Sequence, residues 1–292
     1  MKQVFLVILL AFGFVVGAQN KIVKKTKKQK PATIQVAPKK HKSQSKPTKG
    51  GTVKRVTTKA SYSNGTLTVN GIKYNMVWVD GGTFRMGATS EQGSDADSDE
   101  KPVHSVTLSS YYIGKTEVTQ ALWKAVMGSN PSYFEGDDLP VEQVSWDDCQ
   151  EFIRKLNSLT GQNFRLPTEA EWEFACRGGN NSRGYKYSGS NYIDNVAWNW
   201  DNSGKKTHPV ATKSPNELGI YDMSGNVWEW CADRYGDYSS GAQTNPKGPY
   251  GGSYRVYRGG GWILIVRFCR SSNRFNFNPT YRYNFLGLRL AL

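Results

Sequence analysis

Histidine is scarce in this chain, and so is cysteine: there are three of the first and four of the second in 292 residues. His41, His104 and His208 are too few and too scattered for a three-ligand metal centre, and they leave no usual base for a serine or cysteine nucleophile. Acidic residues are absent from positions 1 to 60, where 15 Lys and Arg lie. Removing those 15 from the chain's 38 basic groups leaves 23 against all 24 acidic ones, so the remainder is nearly neutral. The formal charge of +14 therefore does not mark a nucleic-acid binder. No apolar run is long enough to cross a bilayer, and no solenoid or propeller repeat occurs.

What is present begins with Val4 to Val16, an apolar run of thirteen residues after Met1-Lys2-Gln3 and before Gly17-Ala18-Gln19. That is the length of a signal-peptide core followed by small residues at the cut, so residues 1–18 are expected to be a signal peptide and the protein to be exported, to the periplasm or the cell surface. No cysteine follows the run, so a lipoprotein anchor is not indicated. Residues 19–60 are rich in Lys, Thr, Ser, Gln and Pro and offer little surface to bury, which predicts a disordered linker. The linker reads as a solvated spacer or as a salt-sensitive attachment to an anionic envelope.

Residues 61–292 suffice for one α+β domain. Thr66 to Val69, Asn70-Gly71 and Ile72 to Tyr74 spell a hairpin, followed by the apolar run Met76 to Val79. The acidic stretch Glu91 to Glu100 places Asp95, Asp97 and Asp99 at alternate positions, but Glu100 and Val106 stand where a calcium loop needs Gly and Glu, so a solvated loop is expected. Helical spacing covers Thr116 to Met127, a second helix capped by Ser145, and a third opened by a Thr168/Glu171 capping box. After Gly178 the chain is short extended pieces and turns.

Seven stretches resemble, in order, the signatures of the formylglycine-generating enzyme (sulfatase-modifying factor) family. They are Val79 to Gly87, Lys115 to Thr119, Pro140 to Trp146, Arg165 to Glu173, Gly225 to Trp230, Arg258 to Trp262 and Gly287 to Leu290. The resemblance implies a C-type-lectin-like fold with little regular secondary structure, buried tryptophans and bound calcium. It carries the better calcium site to Asp222, Gly225, Val227 and Glu229, whose carboxylates and carbonyls are hard oxygen donors. A weaker site falls on Asn195, Val196, Asn202 and Gly204, with Asn202 where a carboxylate is expected. Cys176 and Cys269 match a structural disulfide of the family, which leaves Cys149 with Cys231. Read as residues alone, four cysteines allow three pairings or free thiols.

The family's oxidation chemistry needs a copper-binding cysteine pair before that structural cysteine. Here the interval Trp262 to Phe268 has none, so copper is not expected, and the enzyme reading survives only as an oxidase with a rearranged site. Within the segment 259–292, scaffold-like residues alternate with four aperiodic clusters: Ile263-Leu264-Ile265-Val266-Arg267-Phe268, Phe275-Asn276-Phe277-Asn278, Thr280-Tyr281 and Tyr283-Asn284-Phe285-Leu286. These resemble the variable positions of diversity-generating retroelement targets, in which randomised adenines of Asn codons never give Lys, Gln, Glu, Met or Trp; the four clusters contain none of these. With Trp262 they form the expected contact face for an unknown protein or surface ligand. A structural envelope component is the third reading.

Overall fold

The computed structural model describes residues 58–292, so the expected signal peptide and all but the end of the Lys-rich linker lie outside the described residues. Strands β1 (Ala60–Ser63), β2 (Thr66–Val69), β3 (Ile72–Val79) and β6 (Tyr111–Gly114) form an antiparallel sheet in that order. Asn70 and Gly71 both take positive φ, which turns β2 into β3 as a tight hairpin demands. The apolar run after Tyr74 is not a separate strand but the second half of β3. Strands β4 (Gly82–Met86) and β5 (His104–Leu108) pair antiparallel, with the short β8 (Gln243–Thr244) beside β5.

The first helix, α1 (Gln120–Met127), starts four residues later than its periodicity suggests. The Thr119 hydroxyl accepts from the Leu122 amide and caps it there, while Val118 is drawn into extended pairing with Val141 and Leu288. Helices α2 (Trp146–Thr160) and α3 (Glu169–Cys176) begin at reciprocal capping boxes, Ser145/Asp148 and Thr168/Glu171. A single helical turn, α4 (Ile193–Val196), is the one α-helical piece after Gly178 among the described residues.

The last sheet has four strands and carries the C-terminal segment. Strand β9 (Arg255–Arg258) lies between β7 (Trp228–Arg234) and β10 (Arg274–Phe277), antiparallel to both, and β11 (Leu286–Leu288) runs parallel to β7 on its other edge. Trp172 of α3 and Trp230 of β7 are fully buried between them, and Trp123 of α1 stacks on Phe152 of α2 with ring centres 4.8 Å apart. Gly287 is forced by packing: a Cβ there would stand 2.3 Å from the Val141 carbonyl oxygen. No described helix is long and apolar enough to cross a membrane.

Candidate recognition face

The burial of the last 34 residues switches in blocks. Gly259 to Trp262 are buried, Ile263 to Arg267 at least partly exposed, Phe268 to Arg274 buried, Phe275 to Phe285 open to solvent again, and Leu286 to Ala291 buried. Each buried block contains or directly follows a buried arginine. Arg258 pairs with Glu173 and donates to the carbonyls of Ser272 and Asn273 at 2.8 and 2.7 Å. Arg270 forks onto Glu100 at 2.7 and 2.5 Å, Arg274 onto Glu169 at 2.7 Å twice, and Arg289 reaches Glu229 at 2.6 Å. Such bidentate pairs fix direction as well as distance.

Their carboxylates all come from earlier in the chain, because no acidic residue follows Asp237. The acidic stretch expected as a solvated loop is one of the sources. Glu100 is fully buried on Arg270, Asp97 binds Arg267 at 2.6 Å, and Asp99 accepts from the Tyr235 hydroxyl. Burial pushes the Glu100 carboxyl up, but Arg270 and the Ser272 hydroxyl outweigh it and hold it below the ordinary carboxylate range. The signal was legible: an acid-free C-terminal segment rich in arginine needs anions from elsewhere.

The exposed blocks are held by their main chain. Trp146 and Asp147, at the start of α2, donate their amides to the Pro279 carbonyl, and Gln143 donates to that of Tyr283. Arg282 forks onto Asp148 at 2.6 and 2.7 Å. Gly260, at φ 76°, lets the chain fold back so closely that a Cβ would lie 2.7 Å from the Cys269 sulfur. On this frame Phe277 meets Tyr281 and Tyr283 at ring centres 5.0 and 5.3 Å apart, and Tyr283 stacks on Phe285 at 4.9 Å. Asn278 accepts from the amide and hydroxyl of Thr280.

Of the expected contact residues, Trp262, Phe268 and Leu286 are not on this face. Leu286 is buried in β11 opposite Trp228, Phe268 packs against Phe275, and the Trp262 indole donates to the Asn284 carbonyl. Ile263, Leu264, Ile265, Val266, Arg267, Phe275, Asn276, Phe277, Asn278, Thr280, Tyr281, Tyr283, Asn284 and Phe285 keep exposed surface. Arg267 is half spent on the scaffold through Asp97. Two neighbours escaped sequence reasoning because they lie far away in the chain. Tyr133, 67% exposed, leans on Phe134, which meets Trp262 edge-on; Trp200, 44% exposed, donates its amide to the Leu264 carbonyl beneath Lys205.

Residues 66–292 match the sulfatase-modifying factor enzyme 1-like domain. The chain belongs to that family. Its fold is the α+β, lectin-like one of these proteins. The solved Treponema denticola variable protein 1 superposes with a TM-score of 0.69 at 36% identity over 77% of this chain and 97% of that one, and PvdO from Pseudomonas aeruginosa with 0.62 at 28% over 74% and 93%. Chaperone protein LppX of Paenibacillus barcinonensis is 37% identical over 74% of this chain and 89% of its own. Mouse formylglycine-generating enzyme is 34% identical over 61% of this chain, which spans about half (54%) of that enzyme's length.

Against the sulfatase-modifying factor pattern, the cysteines and the cation sites both need correction. All four cysteines are buried free thiols; neither Cys176 with Cys269 nor Cys149 with Cys231 is joined. They sit instead among apolar side chains, and the Cys176 sulfur contacts the Met223 carbonyl. Burial lifts the Cys149 and Cys231 thiols far above the ordinary value and those of Cys176 and Cys269 to about 11 and about 12. A thiol held protonated in this way is a poor nucleophile and a poor metal ligand.

Glu229, expected to ligate calcium, is the anion of Arg289 and accepts the Trp172 indole at 2.7 Å. Asp222 is buried with one oxygen on the Ala211 amide, and Glu117 is buried nearby. Burial pushes both of those carboxyls up, Asp222 to about 6. Two buried carboxyls in excess of one guanidinium suit a cation beside Asp222, with the carbonyls of Gly225 and Val227, but not at Glu229. In the weaker set the Asn202 side-chain nitrogen donates to Asp194 and to the Ala197 carbonyl while its oxygen accepts the Asn199 amide, and the Asn195 carbonyl accepts from Ser214; Val196 is buried and Gly204 is in an exposed turn. Among the described residues no three acidic, His or Cys side chains are grouped to hold a metal.

Proposed function

We propose that the chain is an exported, non-catalytic ligand-binding protein that displays the blocks 263–267 and 275–285 as a recognition face on a sulfatase-modifying factor scaffold. The observation that carries this reading is the alternation of exposed blocks with buried arginine pairs, which lets side chains on the face change without touching what holds the backbone. Relatives named as a chaperone and as a variable protein accord with a binding role. The ligand is a protein or another surface molecule met by aromatic anchors on a rigid frame. The Lys-rich residues 19–60 would attach the domain to an anionic envelope surface.

Replacing Ile263, Leu264, Ile265, Phe277 and Tyr281 together by serine is expected to shift the melting temperature by only about 5 °C. The same change should abolish capture of whatever the wild-type domain retains from extracts of the producing cell's surroundings. A collapse of the fold in that variant, or unchanged capture, would overturn the reading. A template repeat and reverse transcriptase beside the gene would add that the face is genetically diversified, and identical clusters in all isolates would remove that part.

We also propose a structural calcium ion held by Asp222 with the Gly225 and Val227 carbonyls. Millimolar calcium is then expected to raise the melting temperature by about 4 °C over EDTA, since a ligand bound only to the folded state stabilises it by mass action. Asp222→Asn should lose the increment, and equal melting in the two buffers would sink the assignment.

A further inference from the structure

Buried carboxyls in this domain are of two kinds. Glu100, Glu169, Glu173 and Glu229 each hold a buried arginine, whereas Glu117, Glu142, Asp222 and Asp233 form no ion pair. Of these four, Asp233 lines a cavity of about 320 Å³ that opens between β7, α3 and the turn Pro246 to Pro249.

Asp233 is 4% exposed, and one of its oxygens accepts the Glu169 amide at 2.9 Å. Its other oxygen takes part in no ion pair and lies against Gly248. Gly248, at φ 71°, packs against the carboxyl: a Cβ there would lie 2.9 Å from the Arg234 carbonyl oxygen and the Asp233 Cβ and 3.1 Å from that second oxygen, so this turn requires glycine. The apolar wall comprises Met86, Ala170, Pro246 and Pro249, closed by Tyr238, whose hydroxyl is spent on Glu169.

None of the cations around the carboxyl forms an ion pair with it: Arg165 is committed to Glu171, and Arg255 donates to the Ala232 carbonyl and lies over the Trp146 ring, although both feel the Asp233 charge. Arg274 is committed to Glu169, Arg234 donates to the Gly252 carbonyl, and Lys247 sits on the exposed rim opposite Asp237. His104 bonds the Pro102 carbonyl and stacks on Tyr238, and Glu171 adds a further negative charge from α3. At Glu100, Glu169, Glu173 and Glu229 a buried carboxylate is met by a guanidinium; Asp233 has no such partner and faces a cavity.

We propose that this cavity binds a small organic amine, its ammonium pairing with Asp233 and its carbon chain lying along Met86, Ala170 and the two prolines. Burial, with the charge of Glu169 next, pushes the Asp233 carboxyl up to about 8, so the free protein holds it protonated at neutral pH. An arriving ammonium takes the carboxylate and releases that proton to solvent; no covalent bond changes. The site uses none of the exposed side chains of the recognition face, so it stands or falls apart from it.

Calorimetry of the full chain with putrescine tests this. In buffers of different ionisation heat at pH 6.5, binding should release about one proton, and affinity should rise about tenfold per pH unit up to pH 8 and then level off. Butane-1,4-diol should not bind, and Asp233→Asn, whose side-chain carbonyl still accepts the Glu169 amide, should lose at least about tenfold in affinity. Should that variant fail to fold, the pH profile of the wild-type protein decides. Absence of binding at about 10 mM putrescine and pH 8, a pH-independent affinity, or full affinity in Asp233→Asn would each overturn the proposal.

Discussion

Glu100→Ala should cost the domain about 3–5 kcal/mol, because it leaves the Arg270 guanidinium, fully buried, without a counterion. In a domain of this size that is a fall of about 10 °C in melting temperature, or a clear drop in the urea midpoint at unchanged slope. The comparison that gives the number meaning is Asp97→Ala. Its pair with Arg267 has the same chemistry and a distance of 2.6 Å, but the two side chains keep 31% and 41% of their surface in water. Solvent screening there limits the loss to about 1 kcal/mol. Equal losses from the two variants would mean that burial is not what gives the arginine pairs their weight, and the account of how the C-terminal segment is held would fail with it. The double variant Glu100→Ala/Arg270→Met should recover part of the loss, since it removes the stranded charge as well as its partner.

That contrast bears on function. A face whose side chains differ between copies of the protein needs a backbone that does not depend on them. The four buried pairs, the Pro279 and Tyr283 carbonyls held by the start of α2 and by Gln143, and the close approaches at Gly260 and Gly287 supply that independence.

The parts legible in the sequence were those fixed by local rules. Asn70-Gly71, the capping residues Ser145 and Thr168, and the division of the last 34 residues into blocks follow from backbone conformation, side-chain reach and composition within a few positions. What escaped was set by pairing across the chain. Glu100 and Arg270 are 170 residues apart, so a stretch that looks like a solvated acidic loop is a buried dock. Trp262, Phe268 and Leu286 share the texture of their exposed neighbours and turn inward only because the Asn284 carbonyl, Phe275 and β7 wait there. The cysteines and Glu229 were placed by family likeness, and the packing around them decided otherwise.

Stability should fall as pH rises from about 5 to 8, opposite to the trend that paired carboxylates impose in acid. Burial lifts Glu142 to about 7 and Asp233 to about 8, from ordinary values of 4.5 and 3.8. Each is protonated in the folded state over a range where the unfolded chain is ionised, so the folded protein binds more protons. The stability they contribute is whole below their unfolded values and drains away as pH climbs through about 7 and about 8. Each group titrating in this way changes stability by up to about 1.4 kcal/mol per pH unit. Below about pH 4 the sign reverses, because Glu91, Glu100 and Glu169 are held low: burial opposes their ionisation, but Arg177, Arg270 and Arg274, with hydroxyl partners, prevail. Urea melts in EDTA should therefore peak near pH 5. Asp233→Asn should remove one group's share of the slope above that peak and Glu142→Gln another, leaving the part that the raised Asp222 and Glu117 carboxyls contribute. A curve flat from pH 5 to 8, or an undiminished slope in both variants, would mean that these carboxyls ionise in the fold. Glu142 gives the slope a functional reading, since one of its oxygens accepts the Phe134 amide at 2.7 Å and so holds the loop that presents Tyr133 beside Trp262. The ionised carboxylate accepts that amide more strongly but is costly to bury, so the cost of titration near neutral pH falls at one border of the face.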